Sequence, residues 1–245
     1  MLNSFAKVFM GAAGASGGNT VEYIGSDVAA SSNGASVSVP LNAIGGGSPS
    51  TGDLMIVAFS CSGGEDERNN MSLSTSGFTD LASAHVFESN QLSTKVFHKA
   101  YAGESSIVSN AVVNVNTGSA LDQTSVSLCV SVFRSVENIS VFANRALRNT
   151  DDATWTEVTS LSAGNCVALF ASTSHTNGFK YYSNPGDLDL WGDDVTTVYE
   201  NDNHNITSGT GAKAITTESS FSPSTWNCNG SQNQSGVTAI TVVLS

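Results

Sequence analysis

Apolar residues in this chain come in short bursts set among Ser, Thr, Asn and Gly. Residues 54–59, LMIVAF, form a continuous apolar run after Thr51-Gly52-Asp53, and Ser62-Gly63-Gly64 closes the segment. A second burst, CVALFA at 166–171, follows Gly164-Asn165. Short unbroken runs between turn residues predict strands buried on both faces, or sandwich-core strands with little alternation. Elsewhere the pattern alternates. ASVSVPL (35–41) puts Val37 and Val39 on one face, and Pro40 marks an edge or a strand end. LSTKVFHKAYAG (92–103) puts Val96, His98 and Ala100 on one face and Lys95, Phe97, Lys99 and Tyr101 on the other.

The same reading predicts strands in TVEYIGSDVA (20–29), GFTDLASAHVFES (77–89), NAVVNVN (110–116), TSVSLCVSVFRSV (124–136) and ISVFANRAL (139–147). In the second half it predicts GNCVALFAS (164–172), GFKYYS (178–183), TTVYEN (196–201), GAKAITTES (211–219) and SGVTAITVVLS (235–245). Short strands with frequent turn signals point to an all-β antiparallel sandwich, jelly-roll-like in outline. One segment departs from this. In the first residues, Leu2, Phe5, Val8 and Phe9 share a helical face, and Gly11, Gly14, Gly17 and Gly18 follow. Its single lysine and small residues imitate a secretory signal, but the apolar run is brief and Gly-rich. We read residues 1–18 as an anchoring segment with a glycine hinge, and 19–245 as the sandwich.

Two matches suggest an internal duplication. Gly52-Asp53 and its run match Gly164-Asn165 and its run, 112 residues on. VSLCVSVF from Val126 matches VTAITVVL from Val237, 111 residues on. Between them the correspondence is poor, since Gly77-Phe78 and Gly178-Phe179 lie 101 apart. The expected quasi-repeats are approximately 50–136 and 162–245. Two such units, each with one face to bury, can meet as a sandwich.

Composition agrees with strands and turns. Charged residues are only 12% of the chain, so hydroxyls and amides must supply its polar surface. The net charge of −12, with 9 basic residues and no basic cluster, excludes a phosphate-backbone binder and argues against an anionic membrane surface as partner. No segment reaches the ~20 apolar residues of a membrane-spanning helix. Cys61, Cys129, Cys166 and Cys228 include no CxxC pair, which excludes the common zinc patterns. We read them as buried thiols, with a disulfide of Cys228 left open.

Candidate chemistry is sparse. No HExxH, GxSxG, GxGxxG or P-loop pattern is present. Of His85, His98, His175 and His204, His175 is best placed for a site, at the end of a buried strand; a loop histidine bonded to backbone is the plainer reading. The acidic stretch NPGDLDLWGDD (184–194) offers Asp187, Asp189, Asp193 and Asp194 as oxygen ligands for calcium, but lacks the EF-hand order. A solvated acidic loop is the default there, as it is for GEDER (64–68). Trp155, Trp191 and Trp226 sit in polar surroundings and are candidates for stacking on a glycan, against the alternative of sandwich core. We expect no cofactor and no catalytic residue.

Several of these segments together are similar to a β-sandwich family of bacteriophage virion proteins. The resemblance rests on Gly52-Asp53-Leu54, on Gly77, Phe78, Thr79 and Leu81, on Ala102-Gly103-Glu104, and on Phe133, Arg134 and Val136. The start FAKVFMGAAGASGG also resembles phage tail and appendage proteins. Where the family often carries Trp after the glycine, this chain has Phe78. The resemblance covers residues 1–136, and 160–245 only through the repeat. It implies a non-enzymatic virion protein: a tail-associated fibre, adaptor or tip component that forms a symmetric oligomer with other virion proteins and contacts the host surface. A capsid decoration protein and a carbohydrate-binding receptor module are the alternatives, and a hydrolase ranks last.

Overall fold

The computed structural model describes residues 20–31, 35–42, 44–62, 70–86, 92–112, 125–148, 152–175, 190–191, 196–198, 205–226 and 236–245. In the first half the strands are β1 (Glu22–Ser31), β2 (Ser38–Pro40), β3 (Leu54–Cys61), β4 (Thr79–Val86), β5 (Leu92–Ala100), β6 (Ser106–Val108) and β7 (Val126–Arg134). In the second they are β8 (Ile139–Arg148), β9 (Val158–Thr159), β10 (Cys166–His175), β11 (Leu190–Trp191), β12 (Thr196–Val198), β13 (Asn205–Ala214), β14 (Ser220–Phe221) and β15 (Gly236–Leu244). The protein is nearly all β, a sandwich of antiparallel sheets.

One large sheet has the order β1-β7-β3-β5-β4, and the other β11-β13-β10-β15-β8, with β12 also on β13. Two small sheets, β2-β6 and β14-β9, complete the set. The large sheets face each other, and each small sheet lies on the outer side of one of them. Side chains of β3 show why. Ile56 and Ala58 belong to the core between the large sheets, with Phe170, Ile240 and Val242. Met55, Val57, Phe59 and Cys61 point the other way, into a core shared with Val39 of β2 and Ile107 of β6. Strand β10 repeats this, with Cys166, Ala168 and Phe170 inward and Val167, Leu169 and Ala171 outward onto Val158 and Trp226. The period-2 alternation therefore reads apolar-apolar, and the unbroken runs follow from burial on both faces. Each fully buried Val, Leu, Ile or Phe side chain contributes about 1.5–3 kcal/mol over an exposed one.

The predicted alternation in β5 is observed. Val96 faces the inter-sheet core, while Phe97 and Tyr101 join the outer one. Val37 and Val39 share that outer core, and Pro40 ends β2. Other boundaries moved. Strand β13 starts at Asn205, six residues before the expected 211, and residues 215–219 form a turn. Its inward residues include Ser208 and Thr210, so it has no apolar period to read. Strand β4 begins at Thr79, two residues after the expected 77, and residues 87–89 lie outside the described residues. Asn110, Ala111 and Val112 are not in a strand, Val112 is buried, and residues 113–116 lie outside the described residues.

The edge strands β1 and β8 are treated differently. Along β1 runs a 3-10 turn, Ile44–Gly46. The approach is backbone on backbone: a Cβ on Gly25 would stand 2.2 Å from the Ile44 carbonyl oxygen. Both strands carry a bulge, β1 at Ile24 and β8 at Phe142, but only in β8 is the bulged residue exposed, the one large hydrophobic to be so among the described residues. Bulges are a common way to blunt a free edge.

Candidate functional site

Two places concentrate polar side chains: a seam inside the sandwich and the turn end above it. The seam lies in the layer between the large sheets. On one sheet Thr94, Ser60 and Ser127 sit side by side on β5, β3 and β7. On the other, Ser208, Ser172 and Thr238 sit side by side on β13, β10 and β15. All six are at least 98% buried. Three bonds cross between the sheets: Thr94–Thr238 at 2.7 Å, Ser60–Ser172 at 2.7 Å and Ser127–Ser208 at 2.5 Å. Ser60–Thr94 at 2.8 Å and Ser172–Ser208 at 2.7 Å tie them into one chain. Donation in a single direction along this chain satisfies all five bonds. Each such bond is worth about 0.5–1.5 kcal/mol net, whereas an orphaned buried hydroxyl costs about 1–3 kcal/mol. Ser131 and Thr210 add a further pair at 3.1 Å.

Sequence reasoning missed the seam. Its signal is a hydroxyl residue recurring where an inward apolar one is due, as Ser60 does after Ile56 and Ala58. Ser and Thr are too abundant for that to stand out.

At the turn end, Gly52 (φ 97°) and Gly164 (φ 90°) occupy the left-handed region that L side chains avoid. Each turn is closed by the following residue. The Ser50 N–H donates to Asp53 Oδ2 at 2.8 Å, and the Ser162 N–H to Asn165 Oδ1 at 2.8 Å. In the first half Arg134 grips the same carboxylate, from Nε to Oδ1 at 3.0 Å and from Nη2 to Oδ2 at 2.9 Å. The Asp53 hydrogen bond holds the guanidinium firmly protonated, with Glu22 3.6 Å away on the far side. Nearby, Lys99 pairs with Glu104 and Lys213 with Glu218. Burial opposes ionisation of Glu104, but bonds from Lys99 and the Ala102 N–H outweigh it and hold the carboxyl below its ordinary range. Backbone N–H groups of Thr217, Glu218 itself and Thr216 hold the Glu218 carboxyl down at about 2. These groups are tied up in turns and ion pairs, an arrangement suited to rigidity rather than proton transfer.

The candidates from sequence fare unevenly. Trp226 is completely buried in the outer core of the second half. Trp155 packs on it edge-on, with ring centroids 4.7 Å apart. Trp226 therefore has no face to offer a sugar, and its part in the glycan reading is corrected to core. Trp191 lies in β11, paired with Gly211. The anchor residues Leu2, Phe5, Val8 and Phe9 lie outside the described residues. So do Asp187, Asp189, Asp193, Asp194, His204, Cys228 and the GEDER stretch. Cys61, Cys129 and Cys166 are buried thiols in the cores. His85 Nδ1 is 2.5 Å from Ser93 Oγ. Burial lowers the pKa of His98, which favours the neutral ring. His175 ends β10 opposite Asn205. Among the described residues no three His, Cys, Asp or Glu side chains come together as a metal site, and no helix is long and apolar enough to cross a membrane.

No protein-family model, curated protein or solved structure matches this chain.

Proposed function

We propose that this chain is a non-enzymatic structural protein of a bacteriophage virion, a tail-associated fibre, adaptor or tip component, built from two jelly-roll-like halves. The observation that carries the scaffold reading is the burial of β3, β7, β10 and β15 on both faces. These central strands spend their side chains on cores and leave none for a cleft. The jelly-roll reading rests on nested pairing. In the first half β1 pairs β7, β2 pairs β6 and β3 pairs β5; in the second β8 pairs β15, β9 pairs β14 and β10 pairs β13. A jelly roll is a long folded-back ribbon of this kind, wrapped into two layers. The virion role rests on the sequence resemblance, with which a rigid, sparsely charged sandwich is compatible. Repeated contacts in a virion favour a symmetric oligomer.

The deciding experiment is to locate this chain's density in the intact particle, alongside particles whose copy lacks residues 1–18. Density at the tail, lost on truncation while the purified truncated protein still folds, is the expected result. Density spread over the shell at capsid-lattice copy number would replace the tail role with decoration. Absence from the particle, or degradation of host polysaccharide by the purified protein, would overturn the structural reading.

A further inference from the structure

We infer that the chain is a fused dimer: the inner face of each half is a self-complementary interface that fits a second copy of the same half, and a pseudo-two-fold axis runs along the strands through the Ser60–Ser172 contact. This goes beyond the virion reading and does not depend on it.

The two sheet orders become one when β8 is set on β1, β10 on β3, β13 on β5 and β15 on β7. The minor pairs β2–β6 and β9–β14 then correspond as well. The registers of the three central strands of each sheet agree, while the bulges of β1 and β8 fall two positions apart. Leu54 opposes Ala100 on one side and Phe133 on the other, while Cys166 opposes Ala214 and Leu244. So do the turns. The Gly52 N–H donates to Tyr101 O and the Gly164 N–H to Ile215 O, both at 2.9 Å. The Tyr101 N–H returns to Asp53 O, and the Ile215 N–H to Asn165 O. The Lys99–Glu104 pair recurs 114 residues on as Lys213–Glu218. The matching stretches begin with β1 and β8, earlier than residues 50 and 162.

The seam shows how the halves face each other. The correspondence maps Ser60 onto Ser172, Thr94 onto Ser208 and Ser127 onto Thr238. The bond Ser60–Ser172 therefore maps onto itself, and Thr94–Thr238 maps onto Ser208–Ser127. A contact between a residue and its own counterpart is the mark of an isologous interface. An ordinary sandwich has no reason to pair equivalent residues.

The axis makes a demand on chain length. Arg134 reaches Ile139 through the four residues Ser135–Asn138. By symmetry Ser245 stands to Tyr23 as Arg134 stands to Ile139, since Phe133 opposes Tyr23 and Leu244 opposes Ile139. The test is a pair of circular permutants opened at the connector. One retains every residue, running 139–245 and then 1–138. The other joins Ser245 to Tyr23 through a copy of Ser135–Asn138. Both should elute at the mass of the parent, with its circular dichroism and a single unfolding transition. If the long link folds while the short one unfolds or exchanges into dimers, the gaps are unequal and the symmetry is wrong. If neither folds, the two chain openings are not equivalent and the inference falls as well. In the unpermuted chain, Ser60→Ala and Ser172→Ala should lower the urea midpoint equally. A several-fold difference between them would place the axis elsewhere.

Discussion

The same turn is built twice in this protein, once with a charge and once without. At Ser50–Asp53 a carboxylate receives the Ser50 N–H and two bonds from Arg134. At Ser162–Asn165 an amide oxygen receives the Ser162 N–H, and the position matching Arg134 is Ser245. The backbone hydrogen bonds agree to about 0.2 Å in the two turns. The turn is therefore made by glycine at positive φ and an acceptor that closes onto the residue three before it. The ion pair is an addition peculiar to the first half, where it joins β7 to the turn that feeds β3.

The outer cores differ in a similar way. The first half fills its outer layer with several medium side chains, among them Leu41, Ile44, Met71 and Ile107. The second half relies on Trp226 and its partner Trp155. The largest effect is therefore expected from Trp226→Ala, at about 3–5 kcal/mol in urea unfolding. Hydrogen exchange should show the pairing of β9 with β14 lost before that of β2 with β6. Equal exposure of the two pairs would mean that the outer layers are not independent.

Next comes the place where the seam breaks its own symmetry. Ser131 and Thr210 are bonded across the interface, while Val96 and Val242 hold the matching positions. Ser131→Val alone leaves the Thr210 hydroxyl buried without its partner and should cost about 1–3 kcal/mol. Adding Thr210→Val makes the two positions alike and should recover most of that loss. A double variant as unstable as the single would show that packing, not hydroxyl pairing, sets the energy there.

A smaller effect is expected from Asp53→Asn, which makes the first turn resemble the second. The Ser50 N–H keeps an acceptor, so only the pairing with the partly exposed Arg134 is lost. The urea midpoint should fall modestly, and salt should narrow the gap to the parent. Asn165→Asp should not raise stability, since the matching position holds no cation. If it stabilises as much as Asp53→Asn destabilises, the asymmetry drawn between the turns is mistaken.

The smallest effect is acid sensitivity. The Glu104 and Glu218 carboxyls have folded pKa values below their ordinary 4.5, that of Glu218 at about 2. A depressed folded pKa means that the folded state holds the charged form more tightly. The resulting stability is present above about 4.5 and is lost as pH falls through the lowered pKa, for Glu218 at about 2. Glu218→Gln should flatten the thermal midpoint between about 4.5 and about 2, Glu104→Gln below its ordinary 4.5, and each should leave it nearly unchanged at pH 7 relative to pH 5. An unaltered acid slope in both variants would assign it to other carboxylates.

The sequence carried the class of fold because a doubly buried strand and a half-buried one leave different periods in the chain. The runs at 54–59 and 166–171 pointed to burial on both faces or to a sandwich core, and the alternation through Val96, Phe97 and Tyr101 separated two faces, which the structure shows to serve two distinct cores. Gly52-Asp53 and Gly164-Asn165 marked both turns, because positive φ narrows the choice of residue. Their spacing suggested a repeat, which the fused-dimer inference takes up. Strand β13 was not readable to its full length, since glycines and hydroxyls replace its apolar period. The seam was invisible for a related reason: a serine buried opposite another serine has the same letter as a serine in a loop. For Trp226 the core alternative is the one that holds: a polar neighbourhood in sequence becomes a buried core once β9 and β14 close over it. Which strands nest, which hydroxyls meet and which face a tryptophan takes depend on contacts between residues up to 144 positions apart, as in Thr94–Thr238. Local pattern settles whether a segment is strand or turn, because φ/ψ preference and burial act residue by residue. Only the tertiary arrangement decides its partner, because that choice is made by the joint packing of both halves.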